Sequence, residues 1–186
     1  EVAATRDDSA GEAFDKAAKM LGLGYPGGRV IDGLAASGDP QAFRFPRARV
    51  RSDPMALSFS GLKTALWEFL RDSPEALASP ADACASFQEA VVDQLTDRVL
   101  KASKRFKIDR IAVSGGVSAN SRLRAAMEAL GGSHGLQVWF PAPGMCTDNA
   151  AMIGHAAVQR SKRDRLLPSE LRAVSRLPLG RSLGAP

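Results

Sequence analysis

Cysteine, histidine and tyrosine are scarce in this sequence, which holds two, two and one of them among 186 residues. With Cys84 and Cys146 standing 62 positions apart and no export signal nearby, a disulfide-stapled secreted domain is excluded and a reducing cytoplasm is the expected location. No stretch approaches the roughly 18 consecutive apolar residues of a helical membrane span, so no membrane partner is expected. The chain opens on Glu1 without a basic start and apolar core behind it; no signal peptide is expected, and the chain reads as a cut piece. His134 and His155 form no HxxxH or HExxH pair, so a histidine-rich metal site cannot come from this chain alone. Neither cysteine has CxxC spacing, and nothing near Cys146 offers the base a thiol nucleophile needs.

What is present is ordinary globular material. Hydrophobic residues make up 45% and charged residues 24%, which excludes wholesale disorder, collagen and coiled-coil classes. At roughly 150 residues per domain the length predicts one domain, or a lobe with an appendage. The net charge of +5 invites a nucleic-acid reading, but most of it is local. From Lys162 onward six basic residues face two acidic ones, so the tail holds +4 and the body stays near neutral. If this tail contacts RNA phosphates, deleting it should flatten the salt dependence of binding.

Periodicity organises the rest. Phe14, Ala17, Ala18 and Leu21 follow one helix face, ended by Gly22 and Gly24. Gly24-Tyr25-Pro26-Gly27-Gly28 is expected to be a tight turn with exposed amides. Phe43 to Pro46 and Ala56 to Phe59 alternate as short strands would. Leu62, Ala65, Leu66 and Phe69 return to a helical period that stops near Asp72 and Pro74. Ser79-Pro80 resembles a helix start, with serine as the cap, ahead of a long helix carrying Phe87, Val91, Leu95, Val99, Ala102 and Phe106. Arg110 to Val113 reads as a strand, Ser114 to Ser118 as a glycine turn, and Leu123, Ala126, Met127 and Leu130 as a helix ending at Gly131-Gly132. Gln137 to Pro141 is the next strand, and Asn149 to Arg160 a nearly all-apolar helix. Strand, helix, strand, helix is an α/β unit, expected to be parallel, with ligands beyond the strand ends.

Several residues near those ends suit an anionic ligand. The turn from Ser114 to Asn120 joins a strand to a helix, where bare backbone and the helix dipole favour phosphate. Asn120 can cap the helix or read a polar ligand group. Asp32, four residues beyond Gly28, suits ligand hydroxyls or merely charges a helix surface. Asp15 pairs at i,i+4 with Lys19, as Glu12 does with Lys16, which by default is a solvated face. Asp148 caps the last helix or ligates a metal; His155, seven positions on, lies about 10.5 Å further along the axis, so one ion cannot join both.

Together these segments resemble one family. Gly11-Glu12-Ala13-Phe14-Asp15-Lys16, Gly22 to Gly28, Phe59-Ser60-Gly61-Leu62-Lys63-Thr64, Ser86-Phe87-Gln88-Glu89-Ala90, Gly115 to Asn120 and Thr147-Asp148-Asn149-Ala150-Ala151-Met152-Ile153 occur in the order seen in bacterial tRNA adenosine threonylcarbamoyltransferases, once labelled O-sialoglycoprotein endopeptidases. The resemblance implies an α/β fold of the actin-like ATPase (ribonuclease H-like) superfamily. Residues 1–160 would be the second, C-terminal lobe with helical connecting segments, and 161–186 a flexible basic tail. It implies transfer of threonylcarbamoyl from threonylcarbamoyl adenylate to N6 of adenine 37 in tRNAs that read codons beginning with A. Asp15, Gly28, Asp32 and Asn120 fall on adenylate-binding positions, and Asp148 on a metal-ligand position. One divalent ion, iron or zinc, is implied, with its other ligands in an N-terminal region this chain lacks. Implied partners are the adenylate, tRNA, a small homologous protein and an ATPase.

Arg29 departs from the family, where proline commonly follows the paired glycines. The isolated chain is expected to be inactive, since half the cleft lies elsewhere. A sugar-kinase-like ATPase lobe and a non-enzymatic nucleotide-binding scaffold are the competing readings. The peptidase label finds no HExxH, Ser/His/Asp or Cys/His arrangement to support it.

Overall fold

The computed structural model describes residues 2–163 apart from 49 and 78. It divides into a large unit, Val2–Thr147, and a second unit beginning at Asp148, each described by itself. Most of the predicted basic tail lies outside the described residues.

The large unit begins with α1 (Ala10–Met20), whose start is a capping box. Ser9 accepts from the Glu12 amide at 3.2 Å, and Glu12 accepts from the Ser9 amide at 2.7 Å. Glu12 is thereby held below the usual carboxylate range, first by the Ser9 amide. Helix α2 (Gly27–Ala35) follows a cis Tyr25-Pro26 bond. Gly27 and Gly28 therefore open a helix and are not a turn, because Pro26 occupies the position before it and tolerates a missing N–H.

The strands expected at 43–46 and 56–59 do not form. The second shrinks to one parallel bridge between Thr5 and Leu57, and the first is irregular. Their patterns have another cause: Phe43 and Phe45 turn toward the helical core on either side of exposed Arg44, and Ala56 and Phe59 are buried three residues apart with Leu57 and Ser58 half-buried between them. Helix α3 (Ser60–Asp72) starts where Asp7 accepts from the Phe59 amide at 2.8 Å and the Ser58 hydroxyl at 2.5 Å. Burial acts upward on the Asp7 carboxyl, but these bonds and those of Ser60 hold it below its ordinary value.

Helix α4 (Ala81–Phe106) is the brace of the unit. Its cap position is Pro80 without a side-chain bond, one residue later than the serine predicted. Val91 faces a core built from Ala13, Phe14, Ala17, Ile31, Phe59, Leu62 and Leu66. Its neighbour Val92 faces a second core with Leu123 and Met127. Cys84 sits in the first core as a free thiol, and burial pushes it up to about 11, so it is inert at neutral pH.

Strands β1 (Arg110–Ala112) and β2 (Gln137–Trp139) pair in parallel, Ile111 opposite Val138, with α5 (Ser121–His134) between them in sequence. This is the expected α/β unit. Helix α5 continues through Gly131-Gly132 to stop at Gly135, whose φ of 67° is the left-handed cap glycine accepts. His134 is thus the last helical residue. Gly131 serves packing instead, since a Cβ there would lie 2.8 Å from the Leu136 carbonyl oxygen.

The second unit contains α6 (Ala150–Arg163). Its apolar sequence predicts burial, yet among the described residues it buries none, with Ile153 65% exposed. No helix among the described residues is long and apolar enough to cross a membrane.

Candidate functional site

Parallel βαβ units place ligands beyond the carboxyl ends of their strands. At the end of β1, Ser114, Gly115 and Gly116 are exposed, and Gly115 adopts a φ of 91° that only glycine takes without strain. The segment Gly116–Ala119 coils into a short 3-10 turn that delivers Asn120 to the start of α5.

Asn120 caps that helix. Its side-chain oxygen accepts from the Leu123 amide at 2.9 Å, and its side-chain nitrogen donates to Gln88 at 2.6 Å. Both side chains are buried, so Asn120 supports the turn from inside. Two residues before it Ser118 is buried, and its hydroxyl has no partner, an orphaned polar atom within the glycine turn.

Asp32 reaches the same place from α2. It accepts from the Ser121 amide at 3.0 Å through one oxygen and from the Ser121 hydroxyl at 2.8 Å through the other. The carboxylate thus complements the positive end of the α5 dipole and still has lone pairs for a ligand hydroxyl. Removing it takes away the acceptor that holds the exposed Ser121 amide and hydroxyl to α2, leaving only water in its place. Asp32→Ala is expected to cost about 1–2 kcal/mol, read as a shift in urea midpoint at constant slope.

Asp15 organises the other end of α2. Its carboxylate accepts from the Gly27 amide at 2.8 Å. The predicted Asp15–Lys19 and Glu12–Lys16 pairs are both replaced: Glu12 serves its own capping box, and Lys16 bonds Asp8. Each carboxylate finds an unpaired amide closer than an exposed ammonium, and amides at a helix start need acceptors. Gly28 lies one turn before Asp32 on the same helix, about 6 Å along the axis. Gly11 of α1 approaches Val117 of the glycine turn, its Cβ position lying 3.7 Å from the valine methyl. Helices α1 and α2 and the β1 turn therefore converge, bringing Asp15, Gly28, Asp32 and Asn120 to one region.

Arg124 was not singled out by the sequence, yet it ties the two strand-end loops together. Its Nε donates to the Ser118 carbonyl and one terminal nitrogen to the Pro141 carbonyl, both at 2.7 Å. The same nitrogen lies 3.3 Å from the Cys146 sulfur, and the guanidinium stacks 4.7 Å from the Phe140 ring. Gln88 and Glu89 also escaped notice as structural groups; Glu89 forms a two-point pair with Arg122, both contacts at 2.6 Å. Only the Gln88-Glu89 pair on a buried helix face hinted at these crosslinks.

Asp148 begins the second unit and is exposed. It does not cap α6; Asn149 does, accepting from the Met152 amide at 3.0 Å. A capping side chain must sit immediately before the first helical residue, and Asn149 occupies that place. Among the described residues no three His, Cys, Asp or Glu side chains gather where they could hold a metal ion. One exposed carboxylate does not by itself hold a metal ion, so Asp148 would need further ligands from outside this chain to do so.

The family model described as TsaD, tRNA N6-adenosine threonylcarbamoyltransferase, matches residues 1–155. The chain belongs to this family. Among curated tRNA N6-adenosine threonylcarbamoyltransferases, that of Anaeromyxobacter sp. (strain Fw109-5) is 50% identical over 172 residues, covering 91% of this chain and 51% of the relative. That of Clostridium novyi (strain NT) is 47% identical over 179 residues, or 95% of this chain and 52% of the relative. The chain thus spans about half the length of the curated relatives it matches. Within the matched half, the β1 turn and α2 meet at the contact between Asp32 and Ser121.

Proposed function

We propose that this chain forms one wall of the adenylate cleft of a tRNA-modifying acyltransferase, as the second lobe of an actin-like fold. In this reading the whole protein moves a threonylcarbamoyl group from its adenylate to N6 of adenine 37 in tRNAs reading codons that begin with A. The observation that supports it most is the Asp32–Ser121 contact, which joins α2 to the glycine turn and so puts carboxylate and bare backbone side by side. The glycine amides suit the phosphate, and Asp15, Gly28, Asp32 and Asn120 would frame the nucleoside, Asn120 through the turn it holds.

Acyl transfer from a mixed anhydride already has its leaving group, so the protein mainly positions the adenylate and the acceptor amine. Asp148 would offer one carboxylate to a metal ion whose other ligands lie outside this chain; the ion, when bound, would polarise the carbonyl. The small homologous protein and the ATPase of the same pathway are its proposed protein partners, and the cytoplasm its proposed location.

Two measurements test this together. Calorimetry with AMP is expected to show binding that is weakened by Asp32→Ala. The purified 186-residue chain, given adenylate and tRNA, is expected to yield no threonylcarbamoylated product. Unchanged AMP affinity in the variant would remove the cleft assignment, and product formation would refute the claim that the chain supplies only one wall.

A further inference from the structure

Between Asp39 and Asp53 the chain carries four arginines, Arg44, Arg47, Arg49 and Arg51, and no acidic residue. The near-neutral body therefore conceals a second basic segment besides the tail. It lies in the connection from α2 to α3, residues 36–59, whose described residues form no helix and only the single bridge at Leu57. Connections beyond about 12–15 residues without secondary structure are uncommon, and are usually functional or disordered.

This one is fastened along its length. The Ser86 hydroxyl donates to the Asp39 carbonyl and accepts from the Phe43 amide, each at 3.1 Å. The rings of Phe43 and Phe45 pack against Phe69 at 4.3 and 5.8 Å. From beneath, buried Arg98 donates to the carbonyls of Ala56 at 3.1 Å and Ala48 at 3.3 Å. Arg47 grips Asp93 through two nitrogens, at 3.0 and 2.7 Å. What the fastened loop presents outward is charge. Arg44 and Arg51 are exposed, and among the described residues neither has an acidic partner. Arg44 and Arg47 also line a solvent-open cleft of about 590 Å³ together with Phe43.

We propose that this arginine loop is an RNA-docking surface that holds the sugar-phosphate backbone of the tRNA. The proposal rests on the tRNA-modifying reading above and adds where the RNA is held. Guanidinium forks match phosphate oxygens in two-point geometry, and an ordered loop loses little entropy on binding. No large exposed apolar side chain among the described residues lies in the loop, which disfavours a lipid surface or an apolar protein partner. Arg47 is a positioning residue, since its guanidinium is committed to Asp93.

The test uses a tRNA transcript and the whole chain, with anisotropy titrations across a salt series and AMP calorimetry in parallel. Arg44→Ala/Arg51→Ala is expected to weaken tRNA binding roughly tenfold or more at about 0.1 M salt and to lower the salt slope by about 2, while AMP binding stays unchanged. Arg44→Lys/Arg51→Lys should keep most of the slope, and Lys104→Ala/Arg105→Ala, at the far end of α4, should keep all of it. An unchanged slope in the alanine variant overturns the proposal, as does equal loss in the lysine variant. Wild-type chain that binds AMP but no tRNA overturns the docking surface and leaves the adenylate cleft standing. Slope loss without AMP binding by the wild type keeps the surface and removes the cleft.

Discussion

A Gly27→Ala variant is expected to lose about 3 kcal/mol of stability, while Gly28→Ala, one residue later, changes it by no more than about 1 kcal/mol. A Cβ at Gly27 would stand 2.6 Å from the Asp15 Cα, 2.7 Å from the Phe14 carbonyl oxygen and 2.8 Å from the Ala18 Cβ. All three belong to the backbone or the first side-chain atom of α1, so no flexible group can swing aside. The helices must separate, which also breaks the bond from the Gly27 amide to Asp15. At Gly28 the nearest atom is the Phe14 Cβ at 3.8 Å, an ordinary contact. Denaturant unfolding of the two variants, compared at constant slope, checks this directly. Equal small shifts would mean that α1 and α2 do not approach as closely as described.

Phe87→Ala is expected to cost about 3–5 kcal/mol, the usual range for emptying a fully buried aromatic position. Phe87 has no exposed surface, and its ring meets Phe14 and Phe45 edge-on, each 6.1 Å away between centroids. It joins α1, α4 and the arginine loop at one point, so the cavity has little freedom to collapse. By contrast Gln88→Ala should cost about 1–3 kcal/mol, through the buried Asn120 amide left without its acceptor. The motif Ser86-Phe87-Gln88-Glu89-Ala90 is a framework, with Phe87 and Ala90 in the core and the other three clipping other segments to α4. Thermal or urea unfolding that ranks Gln88→Ala at or above Phe87→Ala would invert that account.

Helix positions were legible wherever an apolar face repeated every three or four residues, as with Phe14, Ala17, Ala18 and Leu21 in α1. The parallel strand pair was legible from two short apolar runs separated by a helix. The strands expected at 43–46 and 56–59 misled because closely spaced apolar side chains report burial and not a partner strand. Phe45 packs against α3 and α4 and Phe59 is buried in the same helical core, which requires no partner strand. Ser9 and Glu12, by contrast, carried a capping signature in plain view.

For the candidate site, the sequence pointed to Asp15, Gly28, Asp32, Asn120 and the glycine turn as chemically suitable groups. Their present bonds were not legible. The contact between Asp32 and Ser121 spans 89 positions, and the choice between a ligand carboxylate and a surface charge depends on what α2 packs against. The same holds for Arg124, whose partners at Ser118, Pro141 and Cys146 meet only once β1 and β2 lie side by side.

The scarcity of cysteine and histidine, the periodic helices and the strand-turn-helix order are properties of neighbouring residues, and the sequence alone determined them. Family membership was equally legible, because several motifs stand in one order. Tertiary structure alone decided which polar groups are spent on the framework and which face solvent. Asn120 is consumed within its cap and Arg47 by Asp93, Asp15 spends one oxygen on the start of α2, and Arg44 and Arg51 remain outward. The physical reason is that a buried donor or acceptor must find a partner wherever the packed chain happens to bring one, at a distance that local sequence does not encode.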